Sequence, residues 1–223
     1  MLIKILSPIG VIISRSKDYI DRLRLKKLME KGLKIGNNVY INKGVKFDYV
    51  YPFLIEIEDN CRISNDVRIL AHDATTFRDL GITRIAPVKI LEGSFIGENV
   101  TILPGVTIGP RALIAAGSVV NRDIGEDKTA AGNPARPYGK FSDLLNKYVE
   151  IAQAGTVFSK RDIEENKVTP EKINSVVCEK GVAFIQGTPT EDKFYVNAEF
   201  SKMRDNANKV YFEKIVNAKN SKI

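Results

Sequence analysis

The stretch Ile90–Val120 reads ILEGSF IGENVT ILPGVT IGPRAL IAAGSV V, and its period decides the fold. An aliphatic residue opens every group of six, and a small residue or valine follows four positions later. Neither the 3.6-residue period of a helix nor the two-residue alternation of an open strand produces this spacing. A six-residue repeat is typical of a parallel β-helix, in which each hexad supplies a short strand and a turn. The aliphatic positions are Ile90, Ile96, Ile102, Ile108, Ile114 and Val120.

Two earlier runs, 35–47 and 57–69, have the same six-residue period. All three runs together supply twelve inward-pointing positions, and three such positions make one triangular coil. The sequence therefore predicts a mainly β protein, a parallel β-helix of about four coils over residues 35–139. Residues 73–87 do not fit the period. A loop of this length inside a regular solenoid is more often functional than accidental.

The residues before the β-helix have a helical pattern. Ile20, Leu23 and Leu28 form an apolar stripe at helical spacing, and Gly32 is a suitable stop for the helix. Repeat arrays need such caps, because a bare terminal coil exposes its apolar face and unpaired strand edges. Residues 1–34 are therefore predicted to be a basic segment with an N-terminal capping helix.

The residues after the β-helix, 140–223, lack the six-residue period and are predicted to form a helical or mixed α/β C-terminal extension. Apolar residues at helical spacing predict a helix from Phe141 onward. A second helix is expected near residues 170–176. In VVCEKGVAFIQ we expect a hairpin with its turn at Glu179–Gly181.

The net charge of +7 is concentrated near the N-terminus. Residues 1–34 carry nine Lys and Arg against three Asp and Glu, whereas residues 35–139 are almost balanced. Two interpretations stay open: the basic helix face is simply solvated, or residues 1–31 make a peripheral contact with an anionic membrane surface. Aromatic residues do not alternate with basic residues on a predicted sheet, so nucleic acid is not an expected partner.

The apolar start of the chain is too short to cross a membrane, is broken by Pro8 and lacks a signal-peptide cleavage site. The two cysteines, Cys61 and Cys178, form neither a disulfide framework nor a metal-ligand pattern. Cys61 occupies a small-residue corner position and is expected to be buried. We therefore expect a cytoplasmic protein without a bound metal.

Four passages carry a resemblance to a known family: ILAHDATTF, IAPVKI, the hexads through ILPGVTIG and IAAGSVV, and DKTAAGNPARP. Over roughly residues 30–140 the chain resembles the hexapeptide-repeat acyltransferases, and most of all their maltose, galactoside and polysaccharide O-acetyltransferases. The resemblance implies a left-handed parallel β-helix and a homotrimer with active sites between subunits. It also implies direct transfer of an acetyl group from acetyl coenzyme A to a hydroxyl or amine of a sugar or polysaccharide precursor.

His72 is the only histidine of the chain, and it stands where the long loop begins. A hydroxyl is a poor nucleophile at neutral pH, and an imidazole can remove its proton during attack on a thioester and return it to the leaving thiolate. Position alone leaves a structural histidine equally open, whereas the resemblance implies the catalytic base. Asp73 either supports the imidazole or simply begins the loop.

The resemblance also implies contacts for the two substrates. Asn42 matches a position that touches the acceptor sugar, and Asp48, one hexad later, is a second candidate for an acceptor hydroxyl; a turn Asn and a surface Asp are the alternatives. For acetyl coenzyme A, small residues admit the pantetheine arm, arginines meet the phosphates, and Phe95 replaces a frequent Trp. The implied coenzyme contacts are Phe95, Gly97, Ala115, Ala116, Arg122 and Arg136.

Three functions are compatible with this set of residues. Sugar O-acetylation is the first, and amino-sugar N-acetylation would use the same base and the same coenzyme. A β-helix that only mediates assembly is the third, against which His72 and the AAGNPAR passage argue. The γ-class carbonic anhydrases share the fold but bind zinc through three histidines, so a chain with one histidine is excluded from that class.

Overall fold

The structure is a computed structural model in which residues 21, 23–154 and 157–186 of the 223 are described. The chain divides into two units, Met1–Phe141 and Ser142–Ile223. No helix within the described residues is long and apolar enough to cross a membrane. Residues 1–20, which include most of the segment predicted to contact membrane, lie outside the described part.

The hexads of the first unit fold into short strands, three to a coil. The first coil contains β1 (Lys34–Ile35), β2 (Tyr40–Ile41) and β3 (Lys46–Phe47). After a 3-10 turn at Pro52–Leu54, the second coil contains β4 (Ile55–Ile57), β5 (Arg62–Ile63) and β6 (Arg68–Ile69). The long loop follows, with β7 (His72–Asp73), α2 (Phe77–Leu80) and β8 (Arg84–Ile85); the label α1 is given to the helix over residues 23–30 that precedes β1.

The third and fourth coils come from the most regular hexads. The third contains β9 (Val88–Ile90), β10 (Phe95–Ile96) and β11 (Thr101–Ile102). The fourth contains β12 (Thr107–Ile108), β13 (Leu113–Ile114) and β14 (Val119–Val120). A partial fifth coil adds a bridge from Ile124 to Ile108, then β15 (Lys128–Gly132) and β16 (Ala135–Lys140). The sequence pattern missed this fifth coil, because Ile124 follows Val120 by four residues rather than six.

Three sheets enclose the prism. Sheet A has the order β1-β4-β9-β12, sheet B the order β16-β15-β13-β10-β5-β2, and sheet C the order β14-β11-β6-β3. All neighbours pair in parallel except β15 and β16, which are antiparallel. The fold is therefore the predicted parallel β-helix, consistent with the expected left-handed form, and its four full coils match the predicted number.

The core consists of aliphatic stacks, one behind each sheet. In sheet A, Ile57, Ile90 and Ile108 pair in register, and each is at most 1% exposed. Each buried side chain of this size contributes about 1.5–3 kcal/mol relative to an exposed one. Cys61 fills a corner behind the sheets and is fully buried, as predicted, and burial raises the pKa of its thiol to about 12. This thiol is therefore a packing group rather than a nucleophile.

The corners between strands turn through a left-handed residue. Asn38, Asn60 and Asn99 have φ of 52°, 65° and 56°, and Gly105 and Gly117 have φ of 87° and 72°. Asn and Gly adopt this conformation more easily than other residues do, so the corner sequence is decided by backbone sterics. The recurrence of these residues keeps successive coils in step.

The chain enters the prism through a helix over residues 23–30, which we call α1. Leu25 and Leu28 of α1 pack against the buried core, and Gly32 ends it with a φ of 99°. The capping helix is thus confirmed for these residues. Ile20, the first residue of the predicted apolar stripe, lies outside the described part of the chain.

The second unit contains α3 (Phe141–Ala154, which starts at the last residue of the first unit), β17 (Val157–Ser159), α4 (Lys160–Glu164), α5 (Pro170–Lys180) and β18 (Phe184–Gln186). Strands β17 and β18 pair in parallel. The predicted hairpin with its turn at Glu179–Gly181 is wrong. The side chain of Thr169 caps α5, which continues through the two valines to Lys180, and Gly181 ends this helix with a φ of 74°.

Candidate active site

Every break in the six-residue period falls on one edge of the prism, between sheets C and A. A regular corner has four residues, but on this edge the four corners have seven, eighteen, four and three. We call this the irregular edge; it comprises residues 48–54, 70–87, 103–106 and 121–123. The edge between sheets B and C is regular, and we call it the groove edge; it comprises residues 42–45, 64–67, 97–100 and 115–118.

His72 lies on the irregular edge at the start of the long loop. In β7 it pairs with Ile85 of β8, so a two-stranded antiparallel ladder closes the base of the loop. Its Nδ1 hydrogen-bonds Oδ2 of Asp48, and its ring meets that of Tyr51 edge-on at 5.5 Å between centroids. The His72 side chain is 28% exposed, whereas the Asp48 side chain is completely buried. One side of the imidazole is therefore fixed, and the ring is partly exposed to solvent.

Asp48 is the anchor of this arrangement. Its Oδ1 accepts hydrogen bonds from the backbone N–H groups of Val50 (3.0 Å) and Tyr51 (3.1 Å), and its Oδ2 accepts from Ala71 N–H (2.9 Å) and from His72. Burial pushes the pKa of Asp48 upward, but the four donors outweigh burial and lower that pKa below its ordinary value. The carboxylate is therefore ionised and can only accept hydrogen bonds.

The ionised carboxylate fixes the tautomer of His72. Since Asp48 carries no proton to donate, Nδ1 of His72 must hold one and donate it. Nε2 of the neutral ring is then the nitrogen with a free lone pair. A histidine in this state is ready to accept a proton from a group that approaches the exposed side of the ring.

The structure places Asp48 against His72 and leaves Asp73 in the second of its two expected roles, at the start of the loop. Asp48 does not contact an acceptor hydroxyl, because its side chain is buried and both oxygens are already hydrogen-bonded. Asp73, the alternative support for His72, instead accepts hydrogen bonds from the N–H and hydroxyl of Thr75. These bonds, chiefly that from the Thr75 hydroxyl, lower the pKa of Asp73, which is exposed and begins the loop.

Register across the widened corner is the sequence signal for the Asp48–His72 pair. Phe47 is the neighbour of Ile69 in sheet C, so Asp48 lies beside Leu70, two residues before His72. Counting hexads alone does not reveal this, because the seven-residue corner after Phe47 shifts the second coil out of the six-residue frame.

The groove edge gathers the residues expected to meet the acceptor and the pantetheine arm. Asn42, Ala115 and Ala116 lie at corners on this edge, and Phe95 points outward from the adjoining sheet B. Ala116 is exposed and Ala115 is half-buried, so both are accessible. Gly97 lies on the same edge but is buried against the backbone of residues 114–116, so its direct coenzyme contact is not supported.

The cations expected near the coenzyme phosphates lie apart from one another. Arg122 is exposed on the irregular edge, two coils beyond His72. Arg136 is exposed on β16 of sheet B, and its guanidinium donates to the carbonyl of Ala135 at 2.8 Å. Within one chain, therefore, His72 and Arg122 share one edge, whereas the small residues of the groove lie on another.

The third edge, between sheets A and B, is acidic. It holds an open hollow of about 400 Å³. Four carboxylates line it against the single cation Lys34: Glu56, Glu58, Asp59 and Glu92. Such a surface repels an anionic ligand. In the described residues, no group of three or more His, Cys, Asp or Glu side chains is arranged to hold a metal ion.

Comparison with known proteins identifies the repeat. Residues 87–122 match the family model described as bacterial transferase hexapeptide (six repeats). The regular hexads of this chain are accordingly similar to those of the hexapeptide-repeat transferases, in agreement with the resemblance drawn from the sequence.

Several relatives are acetyltransferases by name. The chain is 33% identical over 119 residues to the galactoside O-acetyltransferase of Escherichia coli, covering 52% of this chain and 58% of that protein. It is 38% identical over 115 residues to a Saccharomyces cerevisiae protein provisionally named an acetyltransferase, covering 48% and 59%. The match thus spans less than two thirds of these curated relatives.

A solved structure is also similar. It is the hexapeptide-repeat containing acetyltransferase of Vibrio cholerae O1 biovar eltor, complexed with acetyl coenzyme A. The identity is 34%, the TM-score is 0.46, and the match covers 49% of this chain and 61% of that one.

Proposed function

We propose that this chain is an acetyltransferase that moves an acetyl group from acetyl coenzyme A to a hydroxyl of a sugar or polysaccharide precursor, with His72 as the general base. The observation that carries the proposal is the buried, ionised Asp48, which holds Nδ1 of the only histidine and leaves Nε2 free. The similarity to galactoside O-acetyltransferase supports the reaction and the acceptor class.

The base acts through a single proton. Nε2 of His72 takes the proton of an acceptor hydroxyl as its oxygen attacks, and the same nitrogen then holds the proton that a departing thiolate requires. Asp48 keeps the ring in one orientation and stabilises the imidazolium that forms, because its carboxylate is already ionised. No side chain of this scheme becomes acylated, so transfer is direct.

Acetyl coenzyme A supplies the activated thioester. Its anionic phosphates fit the exposed guanidinium groups of Arg122 and Arg136 and do not fit the acidic edge lined by Glu58 and Glu92. The exposed methyl group of Ala116 leaves room for an extended arm along the groove edge. These features support coenzyme binding along the coils of the regular hexads.

The division of residues between two edges supports a homotrimer. If the irregular edge of one chain faces the groove edge of the next, His72 meets Asn42 and Ala116 across the interface. Such head-to-tail contacts close into a ring when the rotation between neighbours is 120°. The long loop also exposes apolar side chains that a second copy would cover: Phe77 (60%), Leu80 (65%), Ile82 (59%) and Ile85 (48%).

Amino-sugar N-acetylation is the second candidate, because an amine must also lose a proton during attack and His72 would accept it. The two reactions are separated by product analysis. The chain is incubated with acetyl coenzyme A and either methyl hexopyranosides or the matching amino sugars, and acetylated products are identified by mass spectrometry. We expect O-acetylated pyranosides. Products only from amino sugars would contradict O-acetylation, and no transfer to either panel would contradict the proposed function.

A further inference from the structure

The corner after the first coil places aromatic rings beside the base. It has seven residues where a regular corner has four, and its sequence from 49 to 54 is YVYPFL. Tyr49 is 73% exposed and Phe53 is 55% exposed. Large rings are usually at least partly covered, because water solvates their faces poorly. These two exposed rings lie on the corner that Asp48 joins to His72, on the edge that faces a neighbouring copy in the proposed trimer, and a ligand held between the two copies would cover them.

The corner is rigidly connected to the base. Oδ1 of Asp48 accepts the N–H groups of Val50 and Tyr51, while Oδ2 of the same carboxylate accepts Nδ1 of His72. One buried group therefore fixes both the backbone that carries the rings and the imidazole. The Phe53 ring is also connected to the base through ring contacts, since Tyr51 meets His72 edge-on at 5.5 Å and Phe53 edge-on at 6.2 Å between centroids.

The position of the rings distinguishes acceptor from donor. His72 is joined through Asp48 and Tyr51 to the first coil, which also carries Asn42. The proposed coenzyme track follows the third and fourth coils, on the opposite side of the base along the prism. A ligand on the aromatic corner therefore lies toward the first coil, whereas the thioester of a coenzyme on the proposed track lies toward the third, so the two substrates reach His72 from opposite ends of the prism.

We infer that Tyr49 and Phe53 form the acceptor-ring subsite, which takes the apolar C–H face of a pyranose and presents one of its hydroxyl groups to His72. An aromatic ring offers a broad apolar surface, and Tyr adds a polar tip that reaches a hydroxyl at the rim of a sugar. The inference rests on the proposed function and assigns it an acceptor class, a cyclic sugar rather than an acyclic alcohol or amino acid.

The test compares Tyr49→Ala, Phe53→Ala and the double variant with Tyr138→Ala, whose ring is 66% exposed on β16. Methyl hexopyranosides and glycerol are the acceptors, and binding of the pyranosides is measured separately by saturation-transfer NMR. We expect the double variant to raise the pyranoside KM about tenfold, the effect of roughly 1.4 kcal/mol of lost ring contact. As the pyranoside KM rises, the ratio of kcat/KM for pyranosides to kcat/KM for glycerol falls. The Tyr138→Ala variant is expected to have the kinetic constants of the wild type.

Three results would overturn the inference. They are an unchanged pyranoside KM in the double variant, no pyranoside binding to the wild-type chain, and a changed oligomeric mass that makes the corner a subunit contact. Binding and turnover separate the two claims. If pyranosides bind through Tyr49 and Phe53 but are not acetylated, the subsite stands and the acetyltransferase proposal fails. If other acceptors are acetylated and pyranosides do not bind, the acetyltransferase proposal stands and the subsite inference fails.

Discussion

The Asp48 carboxylate accepts four hydrogen bonds in a fully buried position, and this residue connects stability with chemistry. Hydrogen bonds to an ionised group are worth more than neutral ones, and removal of the acceptor leaves buried N–H groups without partners. The same carboxylate determines which nitrogen of His72 is free. The role of Asp48 could not be predicted from the sequence, because its hydrogen-bond partners are backbone groups and a histidine of the next coil. From the sequence alone, Asp48 is only a polar residue in an irregular corner.

Asp48→Asn is predicted to reduce the free energy of unfolding at pH 7 by about 2–4 kcal/mol, since an amide replaces one accepting oxygen with a donor. The pKa of Asp48 is lowered in the folded state, so its stabilisation is complete above the unfolded pKa near 4 and is lost as pH falls through the folded value. Denaturant titrations of both proteins from pH 7 downward test this. The difference between them narrows below about pH 4; a difference independent of pH would contradict the role of the charge.

At the scale of the elements, the six-residue period predicts most of what the first unit contains. The inward stacks of Ile90, Ile96 and Ile102 are all fully buried, because alternation and coil stacking leave no other place for them. The buried core residues could therefore be predicted from the six-residue period alone, without knowledge of the tertiary structure. The period fails at the fifth coil and along the irregular edge, where corner lengths vary and register is set by backbone pairing. The hairpin predicted in the second unit fails because β-branched valines are also tolerated in a well-capped helix.

Gly97→Ala tests how tightly the coils stack. A Cβ atom there would lie 2.6 Å from Ala116 N and 2.7 Å from Ile114 O, which are backbone atoms of the next coil. We expect a loss of about 1–3 kcal/mol in the free energy of unfolding. Gly139→Ala is the matched control, since its Cβ would meet nothing within 4 Å. Equal stabilities of the two variants in thermal and denaturant unfolding would show that Gly97 is not required for stacking.

In the first unit as a whole, the candidate site residues are divided between two edges of the prism. The irregular edge carries Asp48 and His72, and the groove edge carries Asn42 and Ala116. In the proposed trimer, one chain therefore contributes two half-sites to different active sites. The sequence predicts the members of each half through the family resemblance. Only the arrangement of the sheets shows that sheet C separates them.

Subunit complementation tests the shared site. His72→Ala removes the base and Ala116→Trp fills the groove, so each variant alone is expected to be inactive. The two variants are mixed in equal amounts, unfolded and refolded together. In the trimers that form, about a quarter of the interfaces pair an intact irregular edge with an intact groove edge. We expect the mixture to recover about that fraction of wild-type activity. Mixed trimers that stay as inactive as their parents would contradict a site between subunits.

The most direct test of His72 as the general base is the rate of acetyl transfer by the His72→Ala variant. This rate is measured as thiol released from acetyl coenzyme A at saturating methyl galactoside. General base catalysis contributes typically 10²–10⁴-fold, so kcat is predicted to fall by about that factor while the unfolding transition stays close to that of the wild type. Asp48→Asn should give an intermediate rate, because the base remains but its tautomer is no longer fixed. A folded His72→Ala protein with a kcat near that of the wild type would contradict the central claim.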